Sequence, residues 1–312
     1  MGSSGGGRYY APRTDQQTDS SIQSARRATE SADYEAAVSE RLRDLLADYN
    51  DRDVDTVNDR LEQLNEIMAD YLESSITLRF GGSVSKHTYV DGISDVDCLC
   101  FLNPSKFSAE SPQQLLQELD SLLREVLGRE ANVERGALSI KLTYEDGLEL
   151  QILPALRTAT GVRIPASEGE GWSQVVHPDR FASMLTDVNQ RLSGNVVPVI
   201  KLVKAAINKL NLAPTMKGYH IEVLAARIFQ EYQGDLTPKA MVHHFFDRAS
   251  DLVKTPTRDM TGQSVYVDDY LGERNSAERQ RIGGAFRNVT ERMNEADTRH
   301  STSDWLSTID AE

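Results

Sequence analysis

Three residues have types and a spacing that could bind phosphate groups together with metal ions. Ser83 follows Gly81-Gly82 and lies twelve residues before Asp95, and Asp97 comes two residues later. A glycine-serine turn lets the backbone approach phosphate oxygens, which its N–H and hydroxyl groups can bind. Aspartates at positions i and i+2 of a strand share a face, where their carboxylates can hold Mg²⁺ or Mn²⁺. Each pattern alone is common in solvated turns, but apolar runs flank this pair of patterns, and the combination predicts a phosphate and metal site.

The composition indicates a globular chain with an acidic surface. Of the 312 residues, 39% are hydrophobic, which is enough for a packed core, and the net charge is −14. Proteins that bind long RNA or DNA usually present a basic surface. The charge therefore argues against a long nucleic acid as partner and favours mononucleotides bound with a divalent cation.

Targeting signals and cysteines bear on the compartment. No apolar run approaches the ~20 residues of a membrane span, and Met1–Gly7 have no apolar signal-peptide core. We therefore expect a cytoplasmic protein without a membrane partner. The only cysteines, Cys98 and Cys100, point to the same face of one predicted strand, which is a poor geometry for a mutual disulfide. Buried free thiols in a reducing compartment are the expectation.

Hydrophobic periodicity predicts helices at both ends of the chain and strands between them. Residues 1–30 are rich in Gly, Ser, Thr, Gln and Arg and predict a flexible tail. Residues 32–50 and 54–75 have a helical period, and Tyr71 extends the apolar stripe of the second helix. The remaining predicted elements are strands at 76–80, 95–102, 133–142 and 148–156, a helix from Pro112 to Leu127 that buries Leu122 and Val126, and mostly helix after Pro178.

The segment from Phe80 to Leu102 resembles the nucleotidyltransferases of the DNA polymerase β superfamily, whose signature is a Gly-Ser turn followed by Asp-x-Asp. The run from Gly82 to Asp97 is most similar to that of the oligoadenylate synthetases and the bacterial cGAS/DncV-like nucleotidyltransferases (CD-NTases). The resemblance covers about residues 60–235. It implies that Gly82 and Ser83 hold the phosphates of a donor nucleotide, and that Asp95 and Asp97 hold the metal ions.

The resemblance also implies a fold and its division along the chain. The expected class is α+β, with a mixed or antiparallel sheet braced by N-terminal helices, followed by a helical second domain, so that two lobes enclose a central cleft. We expect a flexible tail at 1–30, the catalytic core with its bracing helices at 31–177, and a helical domain that closes the nucleotide cleft at 178–312.

The family places a third acidic residue three residues before a Pro-Ala pair, and in this chain Gln151 occupies that position, before Pro154-Ala155. Glutamine can coordinate through its carbonyl but has no charge and cannot act as a base. Three explanations stay open: the chain is an inactive form, whether natural or engineered; Glu149, on the same face of the strand, takes the role; or the register is displaced. Nucleotide binding could persist on Asp95 and Asp97 without turnover.

The helical half contains further residues to which the resemblance assigns nucleotide contacts. The family has a Leu-x-Lys helix followed by a Lys-Ser-Tyr-like helix start, and this chain has Gly218 at the serine position. By this resemblance Lys204 contacts the triphosphate, Lys217 and Tyr219 contact phosphate or base, and Lys86 or Lys204 offsets the phosphate charge. The structural alternatives are solvated lysines and a core tyrosine.

The function implied by the resemblance is template-independent nucleotidyl transfer. The substrates would be nucleoside triphosphates such as ATP or GTP, with Mg²⁺ or Mn²⁺, and the product a cyclic or linear oligonucleotide second messenger for a downstream effector, typically in anti-phage signalling. Gln151 predicts weakened or absent activity. The alternatives are an RNA 3′-end nucleotidyltransferase of the CCA-adding or poly(A) kind, which the net charge disfavours, and a non-catalytic nucleotide-binding module, which Gln151 favours.

Overall fold

The structure is a computed structural model, and it describes residues 15–49, 54–72, 77–81, 83, 86–90, 96–107, 110–166, 171–210, 216–259, 261 and 264–309. Two residues of the predicted site, Gly82 and Asp95, lie outside these ranges, as do residues 1–14 of the predicted tail.

Within the described residues, a mixed six-stranded sheet forms the first half of the fold. Its strands run in the order β1-β2-β5-β4-β3, and β6 pairs with β5. The central β2–β5 pair is parallel and the other pairs are antiparallel. The strands are β1 (Thr77–Phe80), β2 (Val96–Leu102), β3 (Ala131–Arg135), β4 (Ile140–Tyr144), β5 (Glu149–Arg157) and β6 (Val162–Arg163).

Helices precede, interrupt and follow the sheet. In the first half they are α1 (Asp15–Asp48), α2 (Val54–Tyr71), α3 (Pro104–Phe107) and α4 (Pro112–Leu127). The second half contains α5 (Pro178–Arg191), α6 (Val196–Lys209), α7 (Gly218–Phe229), α8 (Pro238–Leu252), a 3₁₀ turn (Asp269–Leu271), α9 (Ala277–Arg299) and α10 (Thr302–Leu306). The α+β class and the helical second half predicted above are confirmed.

Two large apolar cores support these halves. One core lies between a face of the sheet and helices α2 and α4, and it includes Val96, Cys98 and Cys100 of β2. The other lies among the helices of the second half, from Phe181 of α5 onward, and it also includes residues of α1. Alternation along β2 buries every second side chain in the first core, so that Asp97, Leu99 and Phe101 point to the opposite face, toward the second half. Both cysteines are buried thiols, as predicted.

Helix α1 differs from its prediction in extent and in packing. It begins at Asp15, so residues 15–30, which were expected to belong to a flexible tail, are helical. The sequence from 15 to 48 contains no glycine or proline, and its Ala, Gln, Arg and Glu residues favour a helix. Its apolar positions Val38 and Leu42 pack in the helical core, whereas bracing of the sheet was expected. Burial of these apolar side chains accounts for the placement, and Lys239 of α8 adds an ion pair, because its ammonium lies 2.7 Å from Glu35 of α1.

Two side chains that were predicted to be buried are exposed. Val126 of α4 and Tyr71 of α2 each expose 47% of their surface, and Leu122 is only partly buried. These residues lie at the edges of amphipathic helices, where periodicity gives the mean direction of the apolar face but not its width. Over the described ranges, none of the helices combines the length and the apolar character needed to cross a membrane.

Candidate functional site

The turn after β1 is held directly against β2. The N–H of Gly81 donates to the Asp97 carbonyl at 2.7 Å, and a Cβ at position 81 would lie 3.3 Å from Cγ of Leu99. A larger residue at position 81 would therefore require the Leu99 side chain to shift by a few tenths of an ångström. The backbone N–H of Ser83 donates a hydrogen bond to the Asp97 carboxylate. Ser83 and Asp97, predicted from their spacing to meet, are thus in contact.

The Asp97 carboxylate is tuned by opposing effects. Burial raises its pKa above the ordinary value, while the Lys86 ammonium and the Ser83 N–H lower it. Burial outweighs them, so the pKa is raised. A carboxylate that is poorly solvated and still has free lone pairs is suited to bind a cation.

Gln151 lies directly across the parallel strand pair from Asp97. The register pairs Asp97 with Gln151, and both side chains line one cavity. The Gln151 amide nitrogen donates to the Ser139 hydroxyl at 2.7 Å, which leaves the amide oxygen as the acceptor group of that side chain. The position assigned by the Pro-Ala spacing to a third carboxylate is therefore beside Asp97, and it contains a neutral side chain.

Glu149 is engaged elsewhere on the same strand. Its carboxylate lies 2.8 Å from the Lys141 ammonium, and its Cα pairs with Thr143 of β4. Glu149 does not line the cavity that contains Asp97 and Gln151. This placement does not favour Glu149 as a substitute for the missing acid.

The cavity lies between the open face of the sheet and helices α5 and α7, with a volume of about 290 Å³. Its apolar wall comes from Leu99, Leu153, Val162, Ile164 and Val176. Its polar wall is formed by Lys86, Asp97, Ser139, Gln151, Tyr219 and Thr261. The Asp97 carboxylate and the Lys86 ammonium therefore lie in a mostly apolar cavity, and this surrounding strengthens the interaction of each group with a bound charge.

Lys204, which the resemblance assigns to the triphosphate, is buried and engaged by the protein itself. Its ammonium donates to the Thr88 carbonyl and to Glu222 Oε1, both at 2.9 Å. Glu222 Oε2 lies 3.1 Å from the Lys86 ammonium, and the Thr88 hydroxyl also donates to Glu222. Glu222 thus joins two lysines from different parts of the chain, and only Lys86 lines the cavity.

The charges of this cluster are set by mutual compensation. Burial alone would raise the pKa of Glu222, but the Lys204 and Lys86 ammonium groups hold it below its ordinary value. Burial lowers the pKa of Lys204, and Glu222 counteracts part of that shift. The motif comparison assigned no role to Glu222. Its sequence signal is a single acid in the apolar run Ile221-Glu222-Val223-Leu224, where a buried charge needs a partner.

Tyr219 and Lys217 lie at the start of α7 but in different surroundings. Tyr219 lines the cavity, and its hydroxyl donates to Asp259 at 2.9 Å. Its ring meets the Phe181 ring edge-on, with centroids 5.1 Å apart. The Lys217 ammonium lies 4.9 Å from the centre of the Tyr270 ring, and Lys217 does not line the cavity. The sequence did not identify Phe181, Asp259 or Ser139 as site residues, since their importance comes from long-range contacts.

The described donor atoms fit a hard divalent cation at one position. Asp97 supplies a carboxylate and Gln151 an amide oxygen, both of which such ions accept. The second predicted carboxylate, Asp95, is outside the described residues. Within the described part of the chain, no group of three or more His, Cys, Asp and Glu side chains is arranged to hold a metal ion. Asp97 is therefore the charged ligand around which a cation site would form.

Comparison by sequence and by structure gives different results. No model of a known protein family matches the sequence, and no curated protein matches it either. Solved structures do share the fold. The structure of CdnC from E. coli MS115-1 with ATP is 14% identical and has a TM-score of 0.64, with 88% of this chain and 98% of that chain covered.

Two further structures extend the comparison. Escherichia coli DncV bound to 3′-deoxy GTP is 12% identical, with a TM-score of 0.63 and with 94% of this chain and 92% of that chain covered. The polymerase core of TRAMP, an RNA surveillance complex, is 15% identical, also with a TM-score of 0.63, and the match covers 89% of this chain and 95% of that chain. At such identities the likeness concerns the fold. The chain therefore has the fold that these CdnC, DncV and TRAMP polymerase-core structures share.

Proposed function

We propose that the chain is a template-independent nucleotidyltransferase that makes a cyclic or linear oligonucleotide second messenger from nucleoside triphosphates. One observation carries the proposal: the Ser83 N–H binds the Asp97 carboxylate at the wall of a cavity, in a chain with the CD-NTase fold. Another protein with this fold, Vibrio cholerae DncV, is a cyclic AMP-GMP synthase.

The proposed roles of the residues follow from their chemistry. Gly82 and Ser83 hold the donor phosphates, and Asp95 and Asp97 hold Mg²⁺ or Mn²⁺. When bound, the cation neutralises charge that develops on the transferred phosphate. Lys86 adds positive charge at the cavity wall, and Tyr219 presents an aromatic surface on which a base can stack. The protein contributes mainly position and charge, which is the usual division of work in phosphoryl transfer.

Gln151 sets the expected rate. A glutamine beside Asp97 offers an oxygen but neither a charge nor a proton acceptor of useful basicity. We therefore propose weak transfer, with nucleotide binding retained. The product would act on a downstream effector, and the family resemblance suggests anti-phage signalling as the setting.

A non-catalytic nucleotide-binding module is the second candidate. The uncharged side chain at position 151 favours it, and so does the pairing of Glu149 with Lys141 rather than with the cavity. In that case the cavity would bind a nucleoside triphosphate without turnover.

Labelled nucleotides separate these functions. The protein is incubated with ATP, GTP, CTP and UTP and with Mg²⁺ or Mn²⁺, in the presence or absence of tRNA, and the products are treated with phosphatase. Phosphatase-resistant label without RNA supports the synthase, label on tRNA supports an RNA-tailing enzyme, and binding without product supports the module. Asp97→Asn is the matched inactive control, and Asp70→Asn on α2 removes the same charge from an exposed position. Product formation that is unchanged in Asp97→Asn would overturn the proposal.

A further inference from the structure

A second concavity adjoins the cavity described above. Its volume is about 510 Å³, within the range of sites for small ligands. It shares Gly81, Lys86 and Leu99 with the first cavity and continues past β1 and the end of β5 to the start of α5. We call it the arginine pocket, because Arg79 and Arg157 line it.

Strand pairing places the two guanidinium groups along one face of β2. Arg79 of β1 pairs with Leu99, and the Arg157 guanidinium lies 4.3 Å from the centre of the Phe101 ring. Leu99 and Phe101 are two residues apart on the strand, so their side chains share a face about 7 Å apart. A guanidinium stacked on an aromatic ring keeps its N–H edge free to bind in plane.

The charge environment favours an anion at this place. Neither Arg79 nor Arg157 forms an ion pair with a carboxylate anywhere in the described ranges, although the protein has a net charge of −14. Among the described residues, one acid lines the pocket, namely Asp179 at the start of α5. The two arginines against one aspartate leave the pocket with excess positive charge. The Lys86 ammonium adds little to this excess, because Glu222 pairs with it at 3.1 Å.

We propose that the arginine pocket binds a ligand that carries two or more phosphate charges. Arginine binds phosphate oxygens in pairs through its planar fork, and Arg79 and Arg157 line the same pocket, so a ligand with more than one phosphate group can contact both. Two ligands with this chemistry follow from the proposed function, and naming them rests on that function. They are the pyrophosphate released by nucleotidyl transfer and the 5′-phosphate end of a linear oligonucleotide product. The pocket itself does not require turnover.

Binding without a metal ion tests the pocket separately from the transfer site. Titration calorimetry in EDTA, with inorganic pyrophosphate as the probe, should detect one site that weakens as salt increases. Arg79→Gln combined with Arg157→Gln should weaken it by about tenfold or more, because two charge-assisted contacts are lost. Arg129→Gln combined with Arg274→Gln removes the same charge from exposed positions elsewhere and should leave the affinity unchanged. Asp97→Asn should keep the pyrophosphate site.

The outcomes separate the two proposals and the two ligand sources. A linear dinucleotide with a 5′-triphosphate is the second probe, because the acceptor nucleotide keeps its triphosphate during transfer. It identifies the oligonucleotide source if it binds more tightly than pyrophosphate does, and pyrophosphate otherwise. Pyrophosphate binding that depends on the two arginines, in a protein without transfer activity, would support the pocket and contradict the synthase. Equal binding by the wild type and the double arginine variant, or no binding of either probe by the wild type, would overturn the pocket. Circular dichroism of each variant verifies folding.

Discussion

Asp97 and Gln151 are directly paired across the parallel strands β2 and β5, and both side chains line the same cavity. An acid at position 151 would place a second carboxylate next to that of Asp97. The neutral amide instead donates to Ser139. One missing charge at this position is thus the local reason for the weak transfer that we propose.

Gln151→Asp should raise the rate of nucleotidyl transfer by about tenfold or more, since a charged ligand at the reacting centre is among the larger contributions to catalysis. The Ser139 hydroxyl can donate to the new carboxylate, so the fold should tolerate it. Product formation from labelled triphosphates measures the change, with Gln114→Asp on an exposed turn of α4 as the control. A rate equal to that of the wild type would show that position 151 does not limit the reaction.

Glu222→Gln should destabilise the fold by about 3–5 kcal/mol, because it leaves two lysines near a buried site without their counter-charge. Lys204 and Glu222 expose only 4% and 2% of their side chains. Urea unfolding measures the change. Adding Lys204→Met to Glu222→Gln should recover part of the stability. Glu278→Gln, which breaks an exposed pair with Arg281, should have little effect. Comparable losses of unfolding free energy in Glu222→Gln and Glu278→Gln would contradict the role of burial.

Asp97→Asn should increase the free energy of unfolding at neutral pH while it abolishes transfer. Burial raises the pKa of Asp97 above 3.8, with Lys86 and the Ser83 N–H in partial opposition. The folded state therefore holds this proton more tightly than the unfolded chain does, and stability is lost as the pH rises through the folded-state pKa. The gain in the asparagine variant should vanish below about pH 3.8. Thermal unfolding across pH measures it, and a lower melting temperature at pH 7 would contradict it.

His220→Gln should flatten the acid dependence of stability. Burial lowers the pKa of His220 from 6.5 to about 4. The Asp268 carboxylate acts in the opposite direction, but the Arg279 guanidinium, which pairs with Asp268, also lowers the pKa. The unfolded chain binds a proton between these values that the folded protein does not, so stability falls as the pH decreases from 6.5 to 4.

The glutamine variant lacks this titration. It should be less stable at pH 7, since the contact of His220 Nδ1 with the Tyr270 hydroxyl at 3.1 Å is altered. Its free energy of unfolding should nevertheless change less between pH 7 and pH 4.5 than that of the wild type. Exposed His300→Gln is the control. Equal slopes for the wild type and His220→Gln would refute the assignment.

Elements with strong local signals were predicted closely. The helix predicted from Pro112 to Leu127 has those bounds in α4, and Gly128 follows its last residue. The turn at 145–147 returns the chain into β5, where Gly147 adopts a φ of +84° that favours glycine. The alternation of Cys98, Leu99 and Cys100 correctly predicted two buried thiols. In each case the information lies within a few neighbouring residues.

By itself the sequence indicated most of the helices and strands after residue 30, and which residues could bind phosphate, because propensity, turn chemistry and motif spacing are local properties. Only the tertiary structure decided how the charges are used. Lys204 is held by Thr88, which is 116 residues away, and by Glu222, and Tyr219 is held by Asp259. A lysine on a helix can be solvated or buried with equal local propensity, and the choice depends on the partner that the distant chain supplies.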